Sequence, residues 1–171
     1  MKKVSDIHAI KIIFFITACY VGLWAIRIPT IKDQLQTDYV GVGYIMLSFA
    51  IGSIVAMIFA NALILKTSTK SILTCTLIAE GCLWLPVPFI QELWLFMVFS
   101  FVFGMSYGAF EIACNVYASN LEVREKKSMM SGFHAFWSLG VLFGSLITSF
   151  LLEWNYSFIF NILLYVIILL P

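Results

Sequence analysis

Six apolar runs, separated only by short polar breaks, leave this chain one way to fold. They occupy residues 9–28, 40–65, 72–90, 93–118, 130–152 and 156–171. Each approaches the roughly 20 residues that a helix needs to cross a hydrocarbon layer about 30 Å thick. Backbone groups left unsatisfied in lipid are costly, so every crossing should be a continuous helix. Composition removes the soluble alternative: 62% of residues are hydrophobic and 11% charged, with a mean hydropathy of +1.01. A water-soluble domain carries about 25% charged residues. The expected fold is therefore all-α: a polytopic membrane protein with six transmembrane helices in one domain covering residues 1–171. The first run is too long, and too continuous with its neighbours, to be only a cleaved signal. The last is short and stops at Pro171 without a flanking charge, which reads as an interrupted helix.

The same numbers exclude other classes. A net charge of +1 rules out a polybasic nucleic-acid binder. Cys19, Cys75, Cys82 and Cys114 stand singly inside apolar runs, so no metal site, redox pair or cofactor is indicated. A membrane enzyme would need clustered His, Cys or carboxylates near one interface, and the sequence offers none. Lys and Arg set the orientation. With the N-terminus in the cytoplasm, Lys2, Lys3, Lys11, Lys66, Lys70, Arg124, Lys126 and Lys127 lie inside, and only Arg27 and Lys32 lie outside. Eight against two satisfies the positive-inside rule. Segment 29–39 then becomes the one sizeable hydrophilic stretch on the outer side. Trp84, Trp94 and Trp154 fall at predicted outer boundaries, where indole rings favour the headgroup layer.

Small residues recur at four-residue spacing. Ser48, Gly52, Ala56 and Ala60 share a face of the second helix, Gly104 and Gly108 one of the fourth, Gly140 and Gly144 one of the fifth. Such faces admit close backbone approach, and van der Waals packing is what joins helices in lipid. A surface that slides in a moving transporter uses the same residues.

Glu111 is the most informative position. An ionised carboxylate in mid-membrane costs roughly 2.5–3.5 kcal/mol, so this one should face protein or water. Tyr107 and Asn115 lie one turn to either side. Burial disfavours the charged form, which makes such a group a reversible proton carrier; a protonated acid that merely bonds a neighbouring helix is the alternative. His134 enters the fifth helix close to Glu111 in depth, with Ser138 one turn further on, and either joins a proton relay or serves structure. Glu80 lacks polar company and reads as a helix–helix hydrogen bond or a boundary residue. Thr17, Tyr20, Trp24 and Arg27 share one face of the first helix. That face suits a cavity wall for a polar solute, or an interfacial anchor. Lys11 is expected to snorkel to the surface.

Three stretches carry a resemblance: W24-A-I-R27-I-P29-T-I-K32, G104-M-S-Y-G108-A-F-E111-I-A-C-N115, and S131-G-F-H134-A-F-W-S138-L-G140. Together they resemble the N-terminal six-helix half of a major facilitator superfamily transporter, in the branch of fucose-permease-type sugar–proton symporters and related bacterial inner-membrane transporters. The similarity runs over essentially the whole chain. It implies two three-helix repeats, with helices one, two, four and five lining a central cavity, and a proton-coupling role for the acid at Glu111. Asn115 matches an Asn one turn below that acid. Two features depart from the pattern. The loop after helix two reads N61-A-L63-I-L65-K66-T-S68-T-K70 without the superfamily's Asp, and helix one lacks the branch's acidic group.

The function this reading supports is solute transport across a cell (inner) membrane by alternating access. Proton coupling would run through Glu111 and His134, and Tyr20, Trp24, Arg27, Tyr107 and Asn115 would face a small polar solute, sugar-like or drug-like. The expected partners are the lipid bilayer, the solute, protons, and a separately encoded C-terminal half or a second copy, since the C-terminal half is absent from the sequence. A truncated, non-transporting subunit is the alternative.

Overall fold

A computed structural model describes residues 2–169, with side chains described except at 2–5, 60–63 and 65. The sequence readings that involve the side chains of Lys2, Lys3, Ala60, Asn61, Leu63 and Leu65, or Pro171, lie outside the described residues. Six α-helices follow one another: α1 (Lys2–Gln34), α2 (Tyr39–Lys66), α3 (Thr69–Trp84), α4 (Leu93–Glu125), α5 (Met130–Glu153) and α6 (Phe158–Leu169), with a 3-10 turn at Val87–Phe89 before α4. Five segments are long and apolar enough to cross a membrane, and Phe158–Leu169 is a shorter apolar helix. The all-α membrane fold expected from the apolar runs is the one observed.

Helix boundaries depart from the apolar runs where polar residues continue a helix. Only 35–38 of segment 29–39 form a loop. α1 runs on through Pro29 to Gln34, because a proline inside a helix forfeits one hydrogen bond without forbidding the next turn. The Gln34 amide then donates to the carbonyls of Val87 (2.9 Å) and Ile90 (2.6 Å), tying this extension to the turn after α3. α4 likewise continues past the apolar limit at residue 118 to Glu125. α3 ends early, at Trp84, and is capped at its start by the Ser68 hydroxyl, which accepts from the Ser71 N–H at 3.1 Å. Gln36, Lys126 and Asn155 adopt positive φ just after α1, α4 and α5. There the backbone closes the helix end: the N–H of Thr37 reaches Lys32 O, that of Lys127 reaches Glu122 O, and that of Tyr156 reaches Leu151 O.

Two compact units divide the chain: Met1–Arg27 with Cys114–Ser157, and Ile28–Ala113 with Phe158–Pro171. In the first, α1 and α5 meet backbone to backbone. A Cβ on Gly140 would strike the Phe15 carbonyl, one on Gly144 the Cys19 carbonyl, and one on Gly22 the Val141 carbonyl. Phe14 stacks on Phe133, with ring centroids 5.9 Å apart. The Lys11 ammonium lies 5.1 Å from the centre of the Phe136 ring, a cation–π contact. Arg124 pairs with Asp6 and Glu125, each at 3.0 Å, and the Glu122 carboxylate caps α5 by accepting from the N–H groups of Met129 and Met130.

In the second unit the same device joins α2 to α4. A Cβ on Gly52 would meet the Phe101 carbonyl, one on Gly104 the Phe49 carbonyl, and one on Gly108 the Ser53 carbonyl. The Ser48 hydroxyl donates to Met97 O at 2.7 Å, and Ala56 is buried. α6 packs on α3. Trp84, expected at the headgroups, is instead 2% exposed and meets Phe103 edge to face at 5.6 Å. Its position at a helix end fits an interface, but the covered face of α3 decides its side. Trp94 and Trp154 are exposed. Exchanging helix one with four, two with five and three with six converts the α1–α5 pairing into the α4–α2 pairing and leaves α3–α6 unchanged. Two three-helix repeats require that relation, and α1 and α4 share a length of 33 residues.

Candidate functional site

α4 carries the polar stripe. It is one unbroken helix from Leu93 to Glu125, so Tyr107, Glu111 and Asn115 fall at successive four-residue steps along one face. All three are half-buried. Tyr107 is fixed by its neighbour on α2: its ring lies 5.5 Å from that of Phe49, which also meets Phe103 at 6.0 Å. The adjoining Gly108 brings the Ser53 backbone against α4. A carboxyl beside such a seam is held at a defined depth by backbone packing rather than by a flexible loop.

On α1 the expected solute-facing stripe divides. The Thr17 hydroxyl turns back on its own helix and donates to Ile13 O at 2.9 Å, so it is committed locally. Tyr20 is buried and Trp24 half-buried. Arg27 is 2% exposed, and its Nη2 donates to the Tyr156 carbonyl at 3.4 Å. That carbonyl follows the positive-φ residue Asn155, so the guanidinium reaches the turn that ends α5. A hydrogen bond from a charged group contributes about 1.5–3 kcal/mol. Arg27→Met is therefore expected to cost about 1–3 kcal/mol in reversible unfolding of the purified chain. A stability unchanged by that substitution, with solute affinity lost, would assign Arg27 to binding alone.

His134 is exposed on α5, with its ring edge-on to Phe14 at 5.5 Å, and Ser138 donates to the His134 carbonyl at 3.1 Å. Tyr20, Trp24, Arg27, Asn115 and His134 belong to the first unit, and Tyr107 and Glu111 to the second. Among the described residues no group of three His, Cys, Asp or Glu could hold a metal ion.

One feature escaped the sequence reading, and another was read only in part. Gly22 is the α1 partner of the α5 glycines; with Ala18 it repeats the spacing already noted on the other helices. Glu80 is 2% exposed, and its Oε2 has no hydrogen-bond partner, so that oxygen makes no helix–helix bond.

The chain is similar to an uncharacterized MFS-type transporter of Yersinia pestis, at 28% identity over 145 residues, covering 83% of this chain and 37% of that protein. It is similar also to an uncharacterized transporter of Sinorhizobium fredii, at 25% identity over 141 residues, covering 77% of this chain and 35% of that protein. The chain thus spans little more than a third of the length of the curated relatives it matches. No solved structure matches it significantly. The description of one family fits residues 12–171, a stretch that includes all of α2 to α5 and the described part of α6. With apolar helices of crossing length and the paired glycine seams of two repeats, this chain belongs to the Major Facilitator Superfamily.

Proposed function

We propose that the chain is the N-terminal six-helix part of a proton-coupled secondary transporter for a small polar solute, sugar-like or drug-like, in a cell (inner) membrane. The observation that carries this reading is Glu111, a half-buried carboxyl in the interior of a 33-residue apolar helix, in a superfamily member whose relatives are named as transporters. Intramembrane ionisable groups are costly and mark ion or substrate paths. Glu111 is assigned the coupling proton, and His134 a place in the relay. Solute contacts are assigned to Tyr20, Trp24, Arg27 and Asn115 of the first unit and to Tyr107 of the second. Arg27 is held by its bond to the Tyr156 carbonyl.

Alternating access in this family rocks one six-helix half against another around a midplane site. A second half, encoded with this one or separately, completes the proposed transporter. Proteoliposomes holding both halves should take up solute saturably, faster with an inward proton gradient, and those holding this chain alone should match empty vesicles. Uptake indifferent to the gradient would remove proton coupling. Saturable uptake by the lone chain would point to a functional homodimer.

The charge distribution supports a cytoplasmic N-terminus. A cysteine at Gln36, which is exposed after α1, should react with an impermeant thiol reagent in intact cells. One at Ser68, exposed before α3, should react only after permeabilisation. The reverse pattern would invert the topology.

A further inference from the structure

Glu80 is the best-buried carboxyl of the described residues, and neither the stripe on α4 nor the α1 face uses it. It lies on the covered side of α3 with Ile72, Leu73, Leu77, Gly81 and Trp84, whereas Cys75, Ile78 and Cys82 are exposed. The carboxyl therefore points into protein rather than lipid. Its Oε2 is buried without a hydrogen-bond partner, and none of the ion pairs among the described residues includes it.

Among the described residues no cation pairs with it. α6, which packs on α3, contributes Tyr165 as its one titratable group and no charged residue. α4, reached through Trp84 and Phe103, contributes Tyr107 and Glu111 within this unit, and no base. The end of α1 brings Lys32, already paired with Asp33 at 2.7 Å. α2 brings Tyr39, Tyr44 and Lys66, all exposed, and on α3 itself Lys70 is exposed at the far end. A lone carboxylate in such surroundings is costly, and an apolar side chain of equal volume would pack there without that cost. A divalent metal asks for several oxygen ligands, and no cluster able to hold one is present among the described residues. The ligand that one buried carboxyl without a paired cation can accept is a proton.

We propose that Glu80 is a proton-binding site separate from Glu111, loaded while α3 and α6 are packed and emptied when water reaches it. Loading takes a proton from hydronium, which is left as water, and forms an O–H bond on the carboxylate. Release breaks it, hands the proton to water and leaves a hydrated carboxylate. The site has a packing route to the stripe on α4: Trp84, one turn from Glu80, meets Phe103, Phe103 meets Phe49, and Phe49 meets Tyr107, one turn from Glu111. The role in transport deepens the proton-coupled reading above and rests on it. The binding of the proton does not.

Infrared spectra of the full chain in lipid bilayers separate the two. A protonated-carboxyl C=O band should persist at neutral pH, where free carboxyl side chains in water are ionised. Glu80→Gln should remove that band, and Glu111→Gln should leave it. A neutral-pH spectrum unchanged by Glu80→Gln, or a Glu80 band that titrates with the exposed carboxylates, would overturn the proposal. In the assembled transporter, Glu80→Gln should reduce the protons moved per solute by one while exchange continues. An unchanged ratio with the band present would make the proton structural and overturn the transport role. Uptake that no proton gradient drives would remove the coupling reading, while the band still reports the proton on Glu80.

Discussion

Alanine at Gly52, Gly104 or Gly144 should cost at least about 1–3 kcal/mol of stability, whereas alanine at Gly43 or Gly132 should be neutral or stabilise by up to about 1 kcal/mol. The substitution is the same, and its sign is set by what stands across the helix. In an isolated helix the added methyl group reduces the backbone entropy lost on folding, which favours alanine. At Gly52, Gly104 and Gly144 the methyl carbon would land on the carbonyl of Phe101, Phe49 or Cys19. A backbone carbonyl belongs to a hydrogen-bonded helix and cannot rotate away, so the two helices must separate along the seam. At Gly43 and Gly132 nothing stands within 4 Å of the added carbon. In lipid there is no hydrophobic gain between helices to offset lost contact, which magnifies the effect at the tight positions. Unfolding of the five variants in detergent, with expression level as a second readout, checks the division. Uniform tolerance would mean that the seams are not close packed.

What could be read from the sequence depended on whether the deciding partner was local. α2 and α5 were legible almost to the residue, because apolar run and helix end there coincide. The end of α1 was not. Pro29 and the polar residues after it look like a loop, and the bonds from Gln34 to Val87 and Ile90 cross more than fifty positions that no local pattern joins. The glycine spacings on α2, α4 and α5 announced close packing, but not which helix met which. Gly22 carried the same signal and was passed over because its neighbour Ala18 is a weaker cue. The burial of Trp84 and Glu80 was not foreseen, for one reason. Composition and depth place a residue along a membrane axis, whereas its burial depends on which side of α3 is covered. Glu111 stood out because Tyr107 and Asn115 announce a polar face within the helix itself.

Glu111→Gln should abolish accumulation of solute against its gradient in the assembled transporter, while solute exchange continues. Glutamine keeps the shape and the hydrogen-bonding capacity of the neutral acid but cannot ionise. A carrier locked in the protonated form can still bind solute and reorient in its loaded state, which is all that exchange requires. Net uphill transport also needs the empty carrier to return after giving up its proton, and the variant has none to give. The stability of the variant should stay close to that of the parent, since the isosteric amide fills the same space. The decisive measurement is therefore paired, with proton-driven accumulation and solute counterflow recorded in the same Glu111→Gln proteoliposomes. The account predicts accumulation lost and counterflow kept; accumulation at the parent's level would contradict it.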